Sequence, residues 1–201
     1  MIKLVHESDL ILKTEPTPWD FKNSLGIIRR LDIENDTWYK SGEVVSDTLD
    51  IQDKLKAPDL YDMLVQHMVY HEGIGLSANQ IGIPFKVFSM MVNDKDVICC
   101  FNPKIIKESD EQVIFSEGCL SFPQLFLKIK RPEKVMVKYQ NADGDEISAH
   151  FDGLAARVFQ HEMDHMNGTI FLDRISKVFL RSARRKQKTL LKKERKNGRT
   201  N

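Results

Sequence analysis

Residues 160–165 read Gln-His-Glu-Met-Asp-His, which places two histidines four positions apart with a carboxylate beside the first. On a helix, positions i and i+4 share one face and lie about one turn apart. Two neutral imidazoles on one face can bind a single metal ion, while the glutamate stays available for proton transfer. The alternative is a pair of core or capping histidines with a surface glutamate. We favour the metal site, because Leu154 and Val158 extend the histidine stripe and predict that this face is buried.

The length of 201 residues suits one domain with a substantial core. The chain has no apolar run of the length that spans a bilayer, and its first residues lack the apolar core of a secretory signal. Three cysteines, two of them adjacent, do not make a disulfide framework. We therefore expect the protein to be located in a reducing cytoplasm. We expect neither a membrane nor DNA among its partners.

The net charge of +1 is unevenly distributed along the chain. Residues 174–201 contain 12 Lys or Arg and a single acid, a net charge of +11, which leaves residues 1–173 at −10. A basic tail on an acidic body favours docking to a polyanionic partner. The alternative is a solvated helix end that keeps the protein soluble, and the charge pattern alone does not decide between the two.

The hydrophobic patterning predicts a single α+β domain. An extended arm at 12–21, held by Trp19 and Phe21, precedes polar loops and a short hairpin at 43–48. Helices are predicted at 58–72, from 152 to a cap at 167–168, and at 176–195. Strands are predicted at 86–92, 97–101, 112–116, 134–139, 146–151 and 169–172.

A two-histidine metal site needs at least a third protein ligand. The sequence offers several candidates, namely His71, His150, Asp152 and Cys119. Cys119 lies in Glu-Gly-Cys-Leu-Ser at the end of a predicted strand, where a metal would bind its thiolate strongly. The alternative for a lone cysteine is a small buried hydrophobic residue, which is our interpretation of Cys99 and Cys100.

A glycine-rich stretch, Gly-Ile-Gly-Leu-Ser-Ala-Asn-Gln, occupies residues 73–80. Its small residues allow another chain to approach the backbone closely. The neutral amide of Gln80 can donate a hydrogen bond to a substrate carbonyl. The stretch is not a nucleotide-binding loop, because it lacks the G-x-G-x-x-G spacing and follows a helix. The alternative is a simple turn with a solvated glutamine.

Together, the stretches at 73–80, 117–121 and 160–165 resemble the three signature motifs of the peptide deformylase family, in that family's order. Ser77 stands where the family usually has alanine, and the segment before the first motif is longer than in compact bacterial members. The resemblance implies a hydrolase of protein biosynthesis that removes the formyl group from the N-terminal methionine of new polypeptides and releases formate. It also implies antiparallel strands around a central metal-binding helix, with a catalytic domain at 1–175 and a basic C-terminal helix at 176–201.

The resemblance assigns the metal ligands and the partners. Cys119, His161 and His165 would bind one divalent ion, which would be Fe(II) in the cell and could be exchanged for Zn(II), Ni(II) or Co(II) in a purified sample. N-formylmethionyl nascent peptides would be the substrates, in a bacterial or phage-infected bacterial cytoplasm. The basic tail would contact the ribosome through rRNA phosphates, a hypothesis that truncation after Asp173 would test at moderate salt.

The resemblance also assigns the reacting groups. Glu162 would act as the general base toward the attacking water, and the Gln80 amide and the Leu120 backbone N–H would stabilise the oxyanion. Gly75 would border the substrate channel. An apolar pocket for the methionine side chain would involve Ile74, Leu154 and Val158.

Two other functions are consistent with parts of the sequence. A zincin-type metallopeptidase also uses H-E-x-x-H but needs a third ligand after the motif, where the chain has no His or Cys and only Asp173 and Glu194 as acids. An RNA-binding module with a structural metal would need four closed ligand positions, whereas three ligands are apparent here.

Overall fold

The structure is a computed structural model that describes residues 3–21, 26–27 and 54–196. Its α-helices are Ala57–Tyr70 (α1), Gly153–Met166 (α2) and Lys177–Lys196 (α3). Its strands are Gly26–Ile27 (β1), Lys54–Leu55 (β2), Gly75–Ser77 (β3), Val87–Met91 (β4), Val97–Glu108 (β5), Gln112–Cys119 (β6), Phe122–Pro132 (β7), Lys134–Gln140 (β8) and Glu146–Asp152 (β9). Short 3-10 helices lie at Leu10–Lys13, Ala78–Ile81 and Phe171–Arg174. Among the described residues, no helix is long and apolar enough to cross a membrane.

Every pair of these strands is antiparallel. The largest sheet has the order β3-β4-β5-β8-β9, while β6 pairs with β7 and β1 pairs with β2 in separate two-stranded sheets. The predicted α+β class, with antiparallel strands around the helix that carries the two histidines and a helix at the C-terminus, is confirmed.

The five-stranded sheet has α1 on one face and α2 on the other. Neighbouring residues of a strand point to opposite faces, so Cys99 packs with the α1 cluster and Cys100 with the α2 cluster. Both cysteines are buried, which confirms their interpretation as small core residues. Burial on both faces also explains why four consecutive residues of β4, Val87 to Met90, are buried instead of alternate ones.

Helix α2 is buried on all sides from residue 156 to residue 166. One face packs on the sheet, where the rings of Phe88 and Phe159 meet edge to face at 5.2 Å. The opposite face contacts β7. The predicted burial of the histidine stripe is therefore confirmed at Val158 but wrong at Leu154, which is 55% exposed because it lies in the first turn, before the buried run begins.

The predicted cap of α2 is confirmed, since Asn167 is the C-terminal cap and Gly168 has a positive φ of 62°. The strand predicted at 169–172 is wrong. The chain forms a 3-10 helix at Phe171–Arg174 instead, because the Asp173 carboxylate accepts a hydrogen bond from the Ile170 N–H at its start. Ile170 and Phe171 enter a hydrophobic cluster with β7.

The hairpin of β6 and β7 lies on the opposite side of α2 from the five-stranded sheet. The predicted strand at 112–116 extends to Cys119, and β7 was not among the predicted strands. Pro123 is tolerated because it lies in an irregular stretch between the Cys119–Phe122 and Glu117–Leu127 pairs. Cys119 thus ends a strand, as predicted, and Leu120 begins the turn.

The N-terminal arm is held on the body as predicted, but its extended part begins after Lys13, because residues 12 and 13 lie in the 3-10 helix at Leu10–Lys13. Trp19 is buried, and its ring meets Phe85 and Phe101 edge to face at 5.2 and 5.4 Å. The side-chain amide of Asn102 accepts from the Trp19 N–H and donates to the Trp19 carbonyl. The hairpin predicted at 43–48 lies outside the described residues.

Helix α3 packs on β7 through one narrow stripe. Ala183 contacts the β7 cluster, and the Gln187 side chain donates a hydrogen bond to the Pro123 carbonyl at 2.8 Å. The exposed face is strongly basic and carries Lys177, Arg181, Arg185, Lys186, Lys188, Lys192 and Lys193. The predicted C-terminal helix is therefore confirmed as a docked helix with a cationic outer face.

Candidate functional site

Cys119 at the end of β6 meets His161 and His165 of α2. The ligand atoms of the three side chains all lie within 4.8 Å of one another, and Cys119 Sγ is 3.5 Å from His165 Nε2. One sulfur and two imidazole nitrogens suit Fe(II), Co(II), Ni(II) or Zn(II), so the residues fit one divalent ion. His71, His150 and Asp152 do not join this group, which is the one cluster of its kind among the described residues.

A carboxylate orients the first histidine. Glu117 Oε2 lies 3.1 Å from His161 Nδ1, so an N–H at Nδ1 leaves the Nε2 lone pair available for a metal ion. Burial lowers the pKa of His161, but hydrogen bonds to Cys119 and Glu117 outweigh it and raise that pKa well above its usual range. Burial opposes the charge of Glu117, yet Arg131 and His161 hold its pKa well below the usual range.

Glu117 is itself held by two buried arginines. Arg131 binds both of its carboxylate oxygens, with Nε 2.7 Å from Oε1 and Nη2 2.8 Å from Oε2, and also binds Asp164 at 2.8 Å. Arg157 Nη1 donates to Glu117 Oε1 at 2.9 Å. Sequence reasoning missed this network. The sequence feature that could have indicated the network is Arg157, which lies four residues before His161 on a helix face that was expected to be apolar.

The pKa of His165 is shifted in the opposite direction to that of His161. Burial and the neighbouring His161 lower its pKa to about 3. The imidazole is therefore neutral near pH 7, which is the state that binds a metal. The Asn79 side chain donates hydrogen bonds to the His165 and Ile11 carbonyls, which ties the glycine-rich motif and the N-terminal arm to the end of α2.

Glu162 points from α2 toward β3. Its side chain is buried, and burial is the main reason why its pKa lies above the usual value. Oε2 accepts a hydrogen bond from the Ser77 hydroxyl. Oε1 lies against Gly75, where a Cβ would come within 2.5 Å of it, so a side chain at position 75 would collide with the carboxylate.

Gln80 presents its amide nitrogen to the metal cluster. Its Oε1 accepts the Ser77 N–H at 2.9 Å, which fixes the amide. Its Nε2 then lies 3.4 Å from Cys119 Sγ and 3.2 Å from Ser121 Oγ. The side chain is only 1% exposed, so the alternative of a solvated glutamine is wrong.

The remaining predicted site residues divide into two groups. The Val158 side chain reaches within 2.8 Å of a Cβ built on Gly75, and the Leu120 side chain packs against Gly73. Ile74 and Leu154 are surface side chains, 45% and 55% exposed. The contribution of Ile74, Leu154 and Val158 to a methionine pocket stays a prediction.

The chain is similar to known proteins in both sequence and structure. The family model described as polypeptide deformylase matches residues 39–179. A peptide deformylase from Thermotoga maritima is 43% identical over 115 residues, which cover 57% of this chain and 70% of that protein. The crystal structure of Arabidopsis thaliana peptide deformylase 1B aligns over 98% of this chain and 94% of its own, at 29% identity and a TM-score of 0.71. A peptide deformylase structure from Legionella pneumophila aligns over 100% and 99%, at 26% identity and a TM-score of 0.73.

Proposed function

This chain belongs to the polypeptide deformylase family and removes the N-formyl group from newly made polypeptides, and we propose that Cys119, His161 and His165 hold the divalent metal ion for that hydrolysis. The observation that carries the assignment is the convergence of one sulfur and two imidazoles from distant segments. Bound there, the ion would lower the pKa of a water molecule and polarise the formyl carbonyl. We propose Fe(II) as the physiological ion, with Zn(II), Ni(II) or Co(II) able to replace it during purification.

Glu162 is the general base in this proposal. Its carboxylate takes a proton from the attacking water and passes it to the amine nitrogen that leaves as the C–N bond breaks. The products are formate and a free amino terminus. Burial supports this role, because it raises the pKa of Glu162 above the usual value and a more basic carboxylate is a better proton acceptor.

Two donors are proposed for the oxyanion that develops on the formyl oxygen. The Gln80 Nε2 is already oriented toward the cluster, because Ser77 fixes the other end of the amide. The Leu120 backbone N–H follows the cysteine directly in the turn between β6 and β7. Donors that are in place before the reaction stabilise the transition state without a cost of reorganisation. Gly75, beside Glu162, borders the proposed substrate channel.

We also propose that the protein acts in the cytoplasm of a bacterium or a phage-infected bacterium, on nascent chains at the ribosome. Helix α3 supports ribosome contact, because one side of the helix packs on β7 and the exposed side is cationic. Such a face would bind rRNA phosphates by counterion release. The proposed division places the catalytic domain at 1–175 and the basic helix at 176–201.

The decisive experiment is release of formate from a formyl-Met peptide by protein loaded anaerobically with Fe(II). We expect turnover of the formyl peptide and little or none of the matching acetyl-Met peptide, which is one methyl larger at the acyl group. A matched E162A protein should keep its metal and lose deformylation by about 10²-fold or more. Full activity of E162A would refute the base assignment, and absence of formate from the Fe(II) enzyme would refute the function.

A further inference from the structure

Ser77, at the end of β3, contacts both groups that act on the substrate in the proposed reaction. Its backbone N–H donates to Gln80 Oε1 at 2.9 Å, and its hydroxyl donates to Glu162 Oε2. The side chain is 0% exposed, so water does not compete for these bonds. Serine stands here in place of the alanine that is usual in the family, and the resemblance assigned its hydroxyl no role.

The two oxygens of the Glu162 carboxylate have different surroundings. Oε2 is engaged by the Ser77 hydroxyl, while Oε1 lies over Gly75, where a bound substrate would pass. The last torsion of a glutamate side chain has a broad energy minimum, so packing alone defines it poorly. A hydrogen bond to one oxygen therefore decides which oxygen faces the substrate.

We propose that Ser77 is a positioning residue that fixes the Glu162 carboxylate with Oε1 directed toward the attacking water. The inference rests on the proposed role of Glu162 as general base. Because the Ser77 N–H holds Gln80 separately, the hydroxyl can be removed without deleting the hydrogen bond that orients the oxyanion donor. Ser77→Ala therefore removes the contact to Glu162, together with the capping contact of the hydroxyl to the Gln80 backbone N–H, and keeps the bond that holds the Gln80 side chain.

The matched control is Ser89→Ala. Ser89 is also fully buried and lies on β4 directly opposite Leu76, but its hydroxyl contacts Met68 Sδ instead of Glu162. With Fe(II) enzyme and a formyl-Met peptide, we expect S77A to lower kcat by about 10-fold to 100-fold, the range for a misplaced catalytic group. KM and metal content should stay at the wild-type values, and S89A should retain the wild-type kcat.

A crystal structure of S77A supplies a result that does not depend on turnover. We expect the Glu162 carboxylate to leave its wild-type orientation, while Gln80 keeps its bond to the backbone of residue 77. An unchanged carboxylate, a wild-type kcat for S77A, or a loss of metal that accounts for the lower rate would overturn the inference. If E162A is inactive while S77A is fully active, the positioning role fails and the proposed function stands.

Discussion

Oε2 of Glu117 lies 3.1 Å from Nδ1 of His161, so a buried carboxylate in the second signature motif orients an imidazole of the third that is proposed to bind the metal. The same carboxylate is clamped by Arg131 and Arg157. A buried charge is tolerated when its partners compensate for the loss of water. Removing one member should therefore affect both the metal centre and the fold.

Glu117→Gln should weaken metal binding by about 10-fold to 100-fold, the usual effect of losing the carboxylate behind a ligating histidine. It should also lower the free energy of unfolding by about 3 kcal/mol, because Arg157 stays buried without its counter-charge and Arg131 keeps only Asp164 as a partner. Chelator competition and urea unfolding measure the two effects. Glu146→Gln is the control, since its ion pair with Lys138 is exposed and its loss should change neither quantity. Wild-type metal affinity in E117Q would contradict the orienting role.

Gly75→Ala should reduce kcat/KM for a formyl-Met peptide by about 10²-fold, as expected for displacement of a catalytic group. The new Cβ would lie 2.5 Å from Glu162 Oε1 and 2.8 Å from Val158 Cγ1, so the carboxylate must move. Steady-state kinetics on metal-loaded protein measures the loss, and thermal unfolding checks that the variant is folded. A folded G75A protein with wild-type kcat/KM would show that Glu162 does not act from this position.

Thiol alkylation should distinguish Cys119 from the other two cysteines. The thiolate is the reactive form, and burial raises the pKa of the Cys99 and Cys100 thiols, so both stay protonated at pH 8. We expect iodoacetamide to modify Cys119 in chelator-treated native protein and to leave it unmodified after Fe(II) or Zn(II) is restored. Peptide mass spectrometry locates the label. Equal labelling of Cys119 with and without metal would argue against its role as a ligand.

Reversing four charges on the outer face of α3 should weaken ribosome binding and make it less dependent on salt. We would change Lys186, Lys188, Lys192 and Lys193 to Glu, because these side chains are exposed, whereas truncation after Asp173 would also uncover β7. Cosedimentation at several salt concentrations measures the slope, which falls as phosphate contacts are lost. The same change at Lys104, Lys107, Lys128 and Lys130, exposed on the body, is the charge-matched control. Equal effects of the two variants would exclude a specific role for α3.

The parts of the fold that sequence predicted are those with a local cause. The helix predicted at 58–72, the strands predicted at 134–139 and 146–151, and the Asn167-Gly168 cap all depend on neighbouring residues, and all are observed. β7 was not predicted, because the effect of Pro123 on strand pairing depends on where it lies relative to the partner strand. The 3-10 helix at Phe171–Arg174 was not predicted, because a side-chain hydrogen bond at its start determines it.

By itself, the sequence determined the chemistry that is available. It indicated a two-histidine helix, a cysteine at a strand end and a small-residue stretch with an amide, each recognisable from residue type and spacing. Only the tertiary structure decided that Cys119, among four candidate ligands, meets the histidines, and that Glu117 and Ser77 orient His161 and Glu162. The reason is physical: the contacts of Glu117 with His161, Cys119 with His165 and Ser77 with Glu162 join residues 44, 46 and 85 positions apart. Their energies depend on burial and mutual distance, which no local pattern encodes.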